Sequence, residues 1–184
     1  NLKNIYNIKN NNEILIKEIN NIINNDKICD IYDFSFNNFY NKNGEKYIGE
    51  IKNDKKEGKG ILYYDENDEK KRKKYEGEFK NDKCEGKGIL YYKNGERYEG
   101  DFKNSIAEGN GMCYYNNGDR YEGEFKNGKR EGKGILYYKN GDRYEGEYEN
   151  NMKEGKGIMY YNNGKKEEGN WKNDKIEKKK FFWH

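Results

Sequence analysis

The 184-residue chain contains no proline and a single histidine, which is the last residue, His184. Because the only histidine is the final residue, we expect no Ser-His or Cys-His nucleophilic pair inside the domain, and no zinc site. Its three cysteines, Cys29, Cys84 and Cys113, show no paired spacing. They therefore predict reduced thiols in a cytoplasmic protein rather than a disulfide framework. We predict no catalytic residues, no metal and no cofactor.

Long apolar runs and an excess of one charge are also missing. No apolar run approaches the roughly 18 residues of a membrane-spanning helix, and the start of the chain has no signal-peptide pattern. Thirty-seven basic residues oppose 34 acidic ones, a balance that argues against a nucleic-acid partner. A mean hydropathy of -1.51 would indicate disorder, but 16% of the residues are aromatic and recur in register.

Glycines and aromatic residues recur with a fixed period. The clearest copy runs Tyr121-Glu-Gly-Glu-Phe, then Glu131-Gly-Lys-Gly-Ile-Leu-Tyr-Tyr, then Asn140-Gly-Asp-Arg. Its opening tyrosine recurs every 23 residues from Tyr75 to Tyr144, and Tyr47 opens a longer first copy. Of the 22 glycines, only Gly128 is out of frame. Such a period predicts a linear array of stacked units.

This pattern, Tyr-x-Gly-x-aromatic followed by Gly-x-Gly-x-x-x-Tyr-x-x-Gly, closely resembles the MORN (membrane occupation and recognition nexus) repeat. The resemblance covers residues 47–166, with half-matching segments on either side. It implies an all-β fold, an elongated single antiparallel sheet of stacked β-hairpins. It also implies a scaffold or adaptor, often placed where membranes meet the cytoskeleton, and the family offers no catalytic residues to carry over.

The repeat boundaries define the organisation of the chain. Within the Asn- and Ile-rich start, Leu15, Ile19, Ile22 and Ile23 follow helical spacing and predict a short amphipathic helix over about residues 11–25. This helix either caps the first hairpin or binds a partner or a membrane surface. We predict an N-terminal segment (1–36), a degenerate half repeat (37–46), five repeats (47–74, 75–97, 98–120, 121–143, 144–166) and a divergent C-terminal cap (167–184).

Strand alternation assigns the two faces of the sheet. Each repeat predicts two strands joined through Asn-Asp or Asn-Gly turns, hence ten strands in all. Tyr121, Gly123 and Phe125 point to one face, where glycine leaves room for a neighbouring ring. Cys84 is expected in a turn and exposed, and Cys113 in the core. The third position of this face predicts a continuous apolar row: Ile51, Phe79, Phe102, Phe125, Tyr148 and Trp171.

The opposite face carries an Ile-Tyr or Met-Tyr pair in every copy. Five such pairs would form an amphipathic stripe, and tyrosine combines rigid apolar area with a polar tip, which suits interfaces. The alternative is a structural stripe shielded by Glu and Lys side chains of adjoining strands. We predict that the following residues bind a segment of a partner protein: Tyr63, Tyr91, Tyr114, Tyr137, Tyr160, Ile89 and Ile135.

Pairs of acidic residues such as Glu122 and Glu124 recur on this same face. Because they repeat in every copy, they are poor candidates for a glycosidase-type carboxylate pair. They are expected to pair with lysines or to select a basic partner segment, and exposed ion pairs contribute only about 0 to 1 kcal/mol each.

Two basic patches indicate a second type of partner. The run Lys70-Lys-Arg-Lys-Lys74 lies beside an acidic block, so it predicts a solvated loop or a phosphoinositide contact. At the C-terminus, lysines lie next to aromatic residues. We predict that this segment either caps the array, contacts lipid, or contacts a second copy of the chain. That segment comprises Lys178, Lys179, Lys180, Phe181, Phe182 and Trp183.

Three functions follow from these features. The first is a non-catalytic scaffold that binds a helical or extended segment of another protein along the repeats. It would be cytoplasmic, at a membrane-cytoskeleton junction, and the Asn- and Lys-rich composition indicates AT-rich coding, as in some protists. The alternatives are a peripheral phospholipid- or phosphoinositide-binding module at an anionic membrane, and the accessory array of a larger enzyme. A homodimer through the C-terminal cap is a further predicted partner.

Overall fold

The structure, a computed structural model, describes residues 39–42 and 44–177, all within the unit Phe36–His184. They form one antiparallel sheet in which every strand pairs with its neighbours in sequence. The predicted all-β sheet of hairpins is confirmed, whereas the predicted N-terminal helix and the patch at 178–183 lie outside the described residues. The strands are β1 (Phe39–Lys42), β2 (Glu45–Lys52), β3 (Lys55–Tyr63), β4 (Arg72–Lys80), β5 (Lys83–Tyr92), β6 (Arg97–Lys103), β7 (Ile106–Tyr114), β8 (Arg120–Lys126), β9 (Lys129–Tyr137), β10 (Arg143–Glu149), β11 (Met152–Tyr160), β12 (Lys166–Lys172) and β13 (Lys175–Ile176).

Each repeat forms one hairpin. The five repeats supply strands β2 to β11, the ten predicted strands, and the flanking segments add β1, β12 and β13. Strand β1 pairs with β2 over four residues, and β13 pairs with β12 over two. A lone hairpin is marginal in water, so each copy gains stability from the hairpins on either side.

Two-residue turns with left-handed backbone close the hairpins. In the second repeat, Asn81 has a φ of 49° and Asp82 a φ of 68°. Asparagine and aspartate tolerate this conformation, which matches the twist of the flanking strands. In the fourth repeat the second turn position is Gly128, with a φ of 75°. This position accounts for the one glycine that is out of frame.

The hairpin turn of the second repeat is too short to include Cys84, which was predicted to be an exposed turn residue. Because the turn of the second repeat consists only of Asn81 and Asp82, strand β5 already begins at Lys83. Cys84 is therefore a strand residue with 5% of its surface exposed, and the prediction of an exposed turn cysteine is wrong. Its backbone N–H donates to the Ser105 hydroxyl of the next turn at 3.0 Å.

A ladder of aromatic rings forms the core. Tyr121 packs edge-to-face against Phe125 of its own strand and Tyr148 of the next repeat. Nine such contacts run without a break from Tyr47 to Trp171, with ring centroids 4.9 to 5.4 Å apart. Each contributes about 0.5–1.5 kcal/mol beyond its buried area. The predicted aromatic row is buried, except that Ile51 at its start is only half-buried.

Each opening tyrosine lies flat across a pair of glycines. Gly146 and Gly157 face each other on adjacent strands, and a Cβ built on Gly146 would lie 2.6 Å from Tyr144 Cζ. The tyrosine Oη reaches past the glycines to a backbone carbonyl, as Tyr75 Oη donates to Glu78 O at 3.0 Å. The motif thus needs glycine at these positions because the ring occupies the space of a side chain.

Three repeats add a cation to this core, which is buried in two of them and half-buried at Arg130. Lys56, Arg130 and Lys153 occupy equivalent positions, which Cys84 and Ala107 take in the other two repeats. The Lys153 ammonium lies 4.9 Å from the ring centroids of Tyr144 and Trp171. Burial lowers the pKa of Lys153. The sequence analysis did not identify these cations, although all three follow the hairpin turn at the same distance.

Replacing Gly146 by alanine is expected to lower the free energy of unfolding by about 2–3 kcal/mol, because the new methyl group overlaps the Tyr144 ring. Gly169 is the matched control, because Glu167 replaces the opening tyrosine of this copy and no ring of the described residues covers the glycine. The nearest atom to a Cβ added at Gly169 is Ile176 Cδ1 at 3.1 Å. Gly169→Ala should change stability by no more than about 1 kcal/mol. Urea denaturation checks both variants, and equal losses would contradict this account of the glycines.

Alkaline pH is expected to unfold the sheet. Burial, followed by the charge of Glu147, raises the pKa of Tyr144 to about 12, and burial also raises the pKa of Tyr75, Tyr98 and Tyr121. Since unfolded tyrosine titrates near about pH 10, the unfolded chain loses protons that the folded chain retains. Stability should be constant up to about pH 10 and fall from there toward about pH 12.

Melting temperatures across this pH range, followed with tyrosinate absorbance, check the alkaline transition. The double variant Tyr98→Phe/Tyr121→Phe removes two of the titrating hydroxyls and keeps the rings. It should be less stable than wild type at neutral pH, because two hydrogen bonds to backbone carbonyls are lost. It should also lose less stability between about pH 10 and 12, and an unchanged pH dependence would contradict the proposed cause.

Candidate partner-binding groove

On the face opposite the aromatic core, side chains lie in rows that run across the strands. Strand pairing alternates tyrosines with cations in one row and apolar residues with glutamates in the next. The Tyr/Arg row comprises Tyr63, Lys74, Tyr91, Arg97, Tyr114, Arg120, Tyr137, Arg143 and Tyr160. The Ile/Glu row comprises Ile61, Glu76, Ile89, Glu99, Met112, Glu122, Ile135, Glu145 and Ile158.

Cationic groups cover the tyrosines of the Tyr/Arg row. The Arg97 guanidinium lies 3.8 Å from the Tyr114 ring centroid, and Arg143 lies 4.1 Å from Tyr160. Arg120 over Tyr137 and Lys74 over Tyr91 are both at 4.4 Å. The five predicted tyrosines therefore do share one row, but they are half-buried, and a cation lies over the rings of Tyr91, Tyr114, Tyr137 and Tyr160.

The sequence analysis missed these cations although a signal was present. A lysine or arginine immediately precedes the opening tyrosine of every full repeat: Lys46, Lys74, Arg97, Arg120 and Arg143. The regularity at this position had a packing cause, since a cation over an aromatic face is worth about 0.5–1 kcal/mol at an exposed site.

The same cations hold most of the glutamates in the Ile/Glu row. Arg97 Nε donates to Glu99 Oε1 at 2.6 Å, and Arg143 Nε donates to Glu145 Oε1 at the same distance. Lys74 pairs with Glu76 in the equivalent arrangement. Glu122 differs, since within the described part of the chain no basic nitrogen lies within 4.0 Å of its carboxylate.

A groove of about 820 Å³ runs alongside the Ile/Glu row. Cross-strand glycine pairs such as Gly123 and Gly134 form its floor, Met112 and Ile135 its apolar wall, and Lys133 lies on the other side. Of the predicted partner-binding residues, only Ile135 is in the lining. Ile89 continues the same row, and the tyrosines form the adjacent row. The groove itself was not predicted, because the bare backbone between two rows becomes continuous only through the cross-strand register.

In the third and fourth repeats the second member of the acidic pair has a structural role. Glu124 folds over Gly132, whose φ is 64°, and accepts the backbone N–H of Lys133 at 3.0 Å. Asp101 does the same with the N–H of Asn110 at 3.2 Å, and it also pairs with Lys87 at 2.7 Å. These carboxylates therefore stabilise the irregular backbone where the second strand begins.

A further glutamate joins each repeat to the next. Glu131 Oε2 accepts the backbone N–H of Asn150, in the turn of the following repeat, at 3.0 Å. These glutamates were not predicted to have a role, although one of them precedes the first glycine of the second strand in every copy. Four other glutamates make the same contact at 2.9 to 3.0 Å: Glu57, Glu85, Glu108 and Glu154.

The basic run at 70–74 is partly neutralised. Arg72 stacks on Tyr64 at 3.9 Å and binds the carboxylate of Asp68, and this contact lowers the pKa of Asp68. Lys74 pairs with Glu76, which leaves Lys70, Lys71 and Lys73 exposed. Part of the predicted loop is strand, because β4 already begins at Arg72.

The described ranges, 39–42 and 44–177, contain no group of three or more His, Cys, Asp or Glu side chains placed to hold a metal ion. Nor do these ranges include a helix with the length and apolarity to cross a membrane. Their two cysteines, Cys84 and Cys113, are free, and burial raises the pKa of Cys113 to about 11.

The fold and the groove define a β-hairpin repeat protein with an open surface. The MORN repeat family model matches residues 47–69, 75–97, 98–120, 121–143, 144–166 and 168–177, which is more than half of the chain. The protein therefore belongs to the MORN repeat family, as the sequence predicted.

Two further comparisons add little. Comparison with curated protein sequences gives no match. Among solved structures, the chain is similar to the SAS-4 (dCPAP) TCP domain of Drosophila melanogaster, solved in complex with a proline-rich motif of Ana2 (dSTIL). The two share 18% identity, the TM-score is 0.42, and the match covers 70% of this chain and 66% of that one.

Removing the Glu131 carboxylate is expected to weaken the junction between the fourth and fifth repeats. Glu131→Ala should lower the free energy of unfolding by about 1 kcal/mol, because the Asn150 N–H loses its charged acceptor. Glu149 is an exposed strand residue with no such contact, so Glu149→Ala should stay within about 0.5 kcal/mol of wild type. Urea denaturation compares the two, and hydrogen exchange at Asn150 should accelerate only in the first variant.

Proposed function

We propose that this MORN repeat protein is a non-catalytic scaffold that binds a helical or extended segment of a partner protein along the groove. The observation that carries the proposal is the groove itself, with a bare glycine floor and an apolar wall made by Met112 and Ile135. Positions on the floor point to the aromatic face, so the groove side exposes backbone that a partner chain can approach closely. The apolar wall then supplies contacts that exclude water.

The composition around the groove also favours a protein partner. Tyrosine, arginine and methionine are enriched in protein interfaces, and here Met112 lines the groove while the Tyr/Arg row lies directly beside it. The cations over the rings hold Tyr114, Tyr137 and Tyr160 in fixed orientations. A preorganised surface loses little side-chain entropy on binding. We assign the Tyr/Arg row to the rim of the interface and the Ile/Glu row to its centre.

The repeat architecture suits this use. Each repeat presents the same rows, so a long segment would make many modest contacts rather than fill one pocket. We extend the proposal to a cytoplasmic protein at a membrane-cytoskeleton junction, which rests on family membership alone.

Photo-crosslinking tests the proposal. A photoreactive phenylalanine derivative at position 135 should crosslink to a partner protein in native lysate, and mass spectrometry should locate one contiguous partner segment. The same group at position 126 is the control, because Lys126 is exposed on strand β8 and lies outside the groove lining. Crosslinks to that segment should be absent or much weaker from position 126.

Two variants separate the groove from the tyrosine row. Met112→Asp/Ile135→Asp places charge in the apolar wall and should abolish the specific crosslinked partner, with circular dichroism confirming the fold. Tyr91→Ser/Tyr114→Ser/Tyr137→Ser should weaken binding without abolishing it. If both variants retain the same partner segment, the surface is structural and the proposal is wrong. Recovery of phosphoinositide vesicles in place of a protein would favour the lipid-binding alternative.

A further inference from the structure

We propose that Glu122 is the specificity-determining residue of the groove. Its carboxylate accepts a lysine or arginine side chain from an α-helical partner segment, whose apolar side chains contact Met112 and Ile135. This inference rests on the proposed partner-binding function and names the chemistry of the partner. Three observations carry it: the unpaired carboxylate, the neutral Asn110 across the groove on strand β7, and the spacing of the rows.

Within the Ile/Glu row, Glu122 is the glutamate that is left without a basic neighbour. Glu99 and Glu145, at the same position in flanking repeats, each accept a hydrogen bond from the arginine two residues earlier, at 2.6 Å. The corresponding Arg120 instead lies over the Tyr137 ring at 4.4 Å and makes no ion pair within the described residues. Glu122 is exposed and keeps its full capacity to accept hydrogen bonds.

The other side of the groove also carries less positive charge next to Glu122. In the second to fifth repeats, the residue between the two glycines of the second strand lines the groove: Lys87, Asn110, Lys133 and Lys156. Glu122 on β8 has the neutral Asn110 on one neighbouring strand, β7, and Lys133 on the other, β9. Glu145 on β10 has Lys133 and Lys156 on its two neighbouring strands. A cation that binds Glu122 therefore meets one lysine across the groove, whereas a cation at Glu145 would meet two.

The spacing of the rows favours a helix. Strands are about 4.8 Å apart, so the Ile/Glu row alternates apolar and acidic side chains at that spacing and repeats roughly every 10 Å. In an α-helix, three or four residues rise about 4.5–6 Å and seven residues rise about 10.5 Å. An extended segment places same-face side chains about 6.7 Å apart and loses register within one repeat. A helix with an apolar residue at every seventh position and a basic residue between matches the row.

Two synthetic peptides test the inference directly. Both are capped helices of about three heptads, with leucine at every seventh position. One carries lysine four residues after each leucine and the other carries glutamate there. Fluorescence anisotropy of the labelled peptides measures binding to wild type and three variants. These are Glu122→Gln, the matched control Glu145→Gln, whose carboxylate in wild type is already paired with Arg143, and Met112→Asp/Ile135→Asp.

We expect wild type to bind the lysine peptide and to discriminate against the glutamate peptide. Glu122→Gln should weaken binding of the lysine peptide about fivefold, and Glu145→Gln by no more than about twofold. The Met112→Asp/Ile135→Asp variant should abolish binding of both peptides. Adding salt should reduce the difference between the peptides, because the discrimination is electrostatic.

Three results would overturn the inference. Equal losses in Glu122→Gln and Glu145→Gln would remove the special role of Glu122. Equal binding of the two peptides by wild type would exclude selection of a basic segment. Failure of the lysine peptide to bind wild type at all would exclude this partner chemistry. None of the three bears on the crosslinking result at position 135, so the scaffold proposal fails or survives separately.

Discussion

The contact between a tyrosine ring and a cross-strand glycine pair is the constraint on which the structure depends. In each repeat the ring lies across two glycines and its hydroxyl donates to a carbonyl three residues later, as Tyr98 donates to Asp101 O at 3.0 Å. The ring then stacks edge-to-face on the aromatic side chain of the next repeat, Phe125 in this case. Because one sheet face is covered by its own rings, no second layer is needed to bury a core.

That arrangement also leaves the second face available. The glycine positions face the rings, so on the opposite face they expose only backbone between two rows of side chains. Around this floor, arginines hold tyrosine rings on one side and glutamates on the other. The groove is thus a by-product of how the core is built, and the differences between repeats, such as Asn110 and the unpaired Glu122, can distinguish one partner from another.

Much of this could be predicted from the sequence. The 23-residue period, the alternation of Tyr121, Gly123 and Phe125, and the Asn-containing turns were sufficient for the sheet, its strand order and its core face. Cys84 was misplaced because the exact length of a hairpin turn shifts a residue from loop to strand. The cations over the tyrosines were missed because the basic residue before the opening tyrosine packs on a ring of another strand, and only cross-strand register brings Arg97 beside Tyr114.

The sequence by itself determined the family, the repeat number and the aromatic and glycine positions, because a period of this strictness leaves one register that buries every ring. Tertiary structure alone decided which charged side chains are held and which are free. Glu124, Glu131 and Glu145 are used by the turn, the next repeat and an arginine respectively, while Glu122 is not. Identical residue types differ here because their partners come from neighbouring strands and repeats, and only the folded sheet brings them within hydrogen-bonding distance.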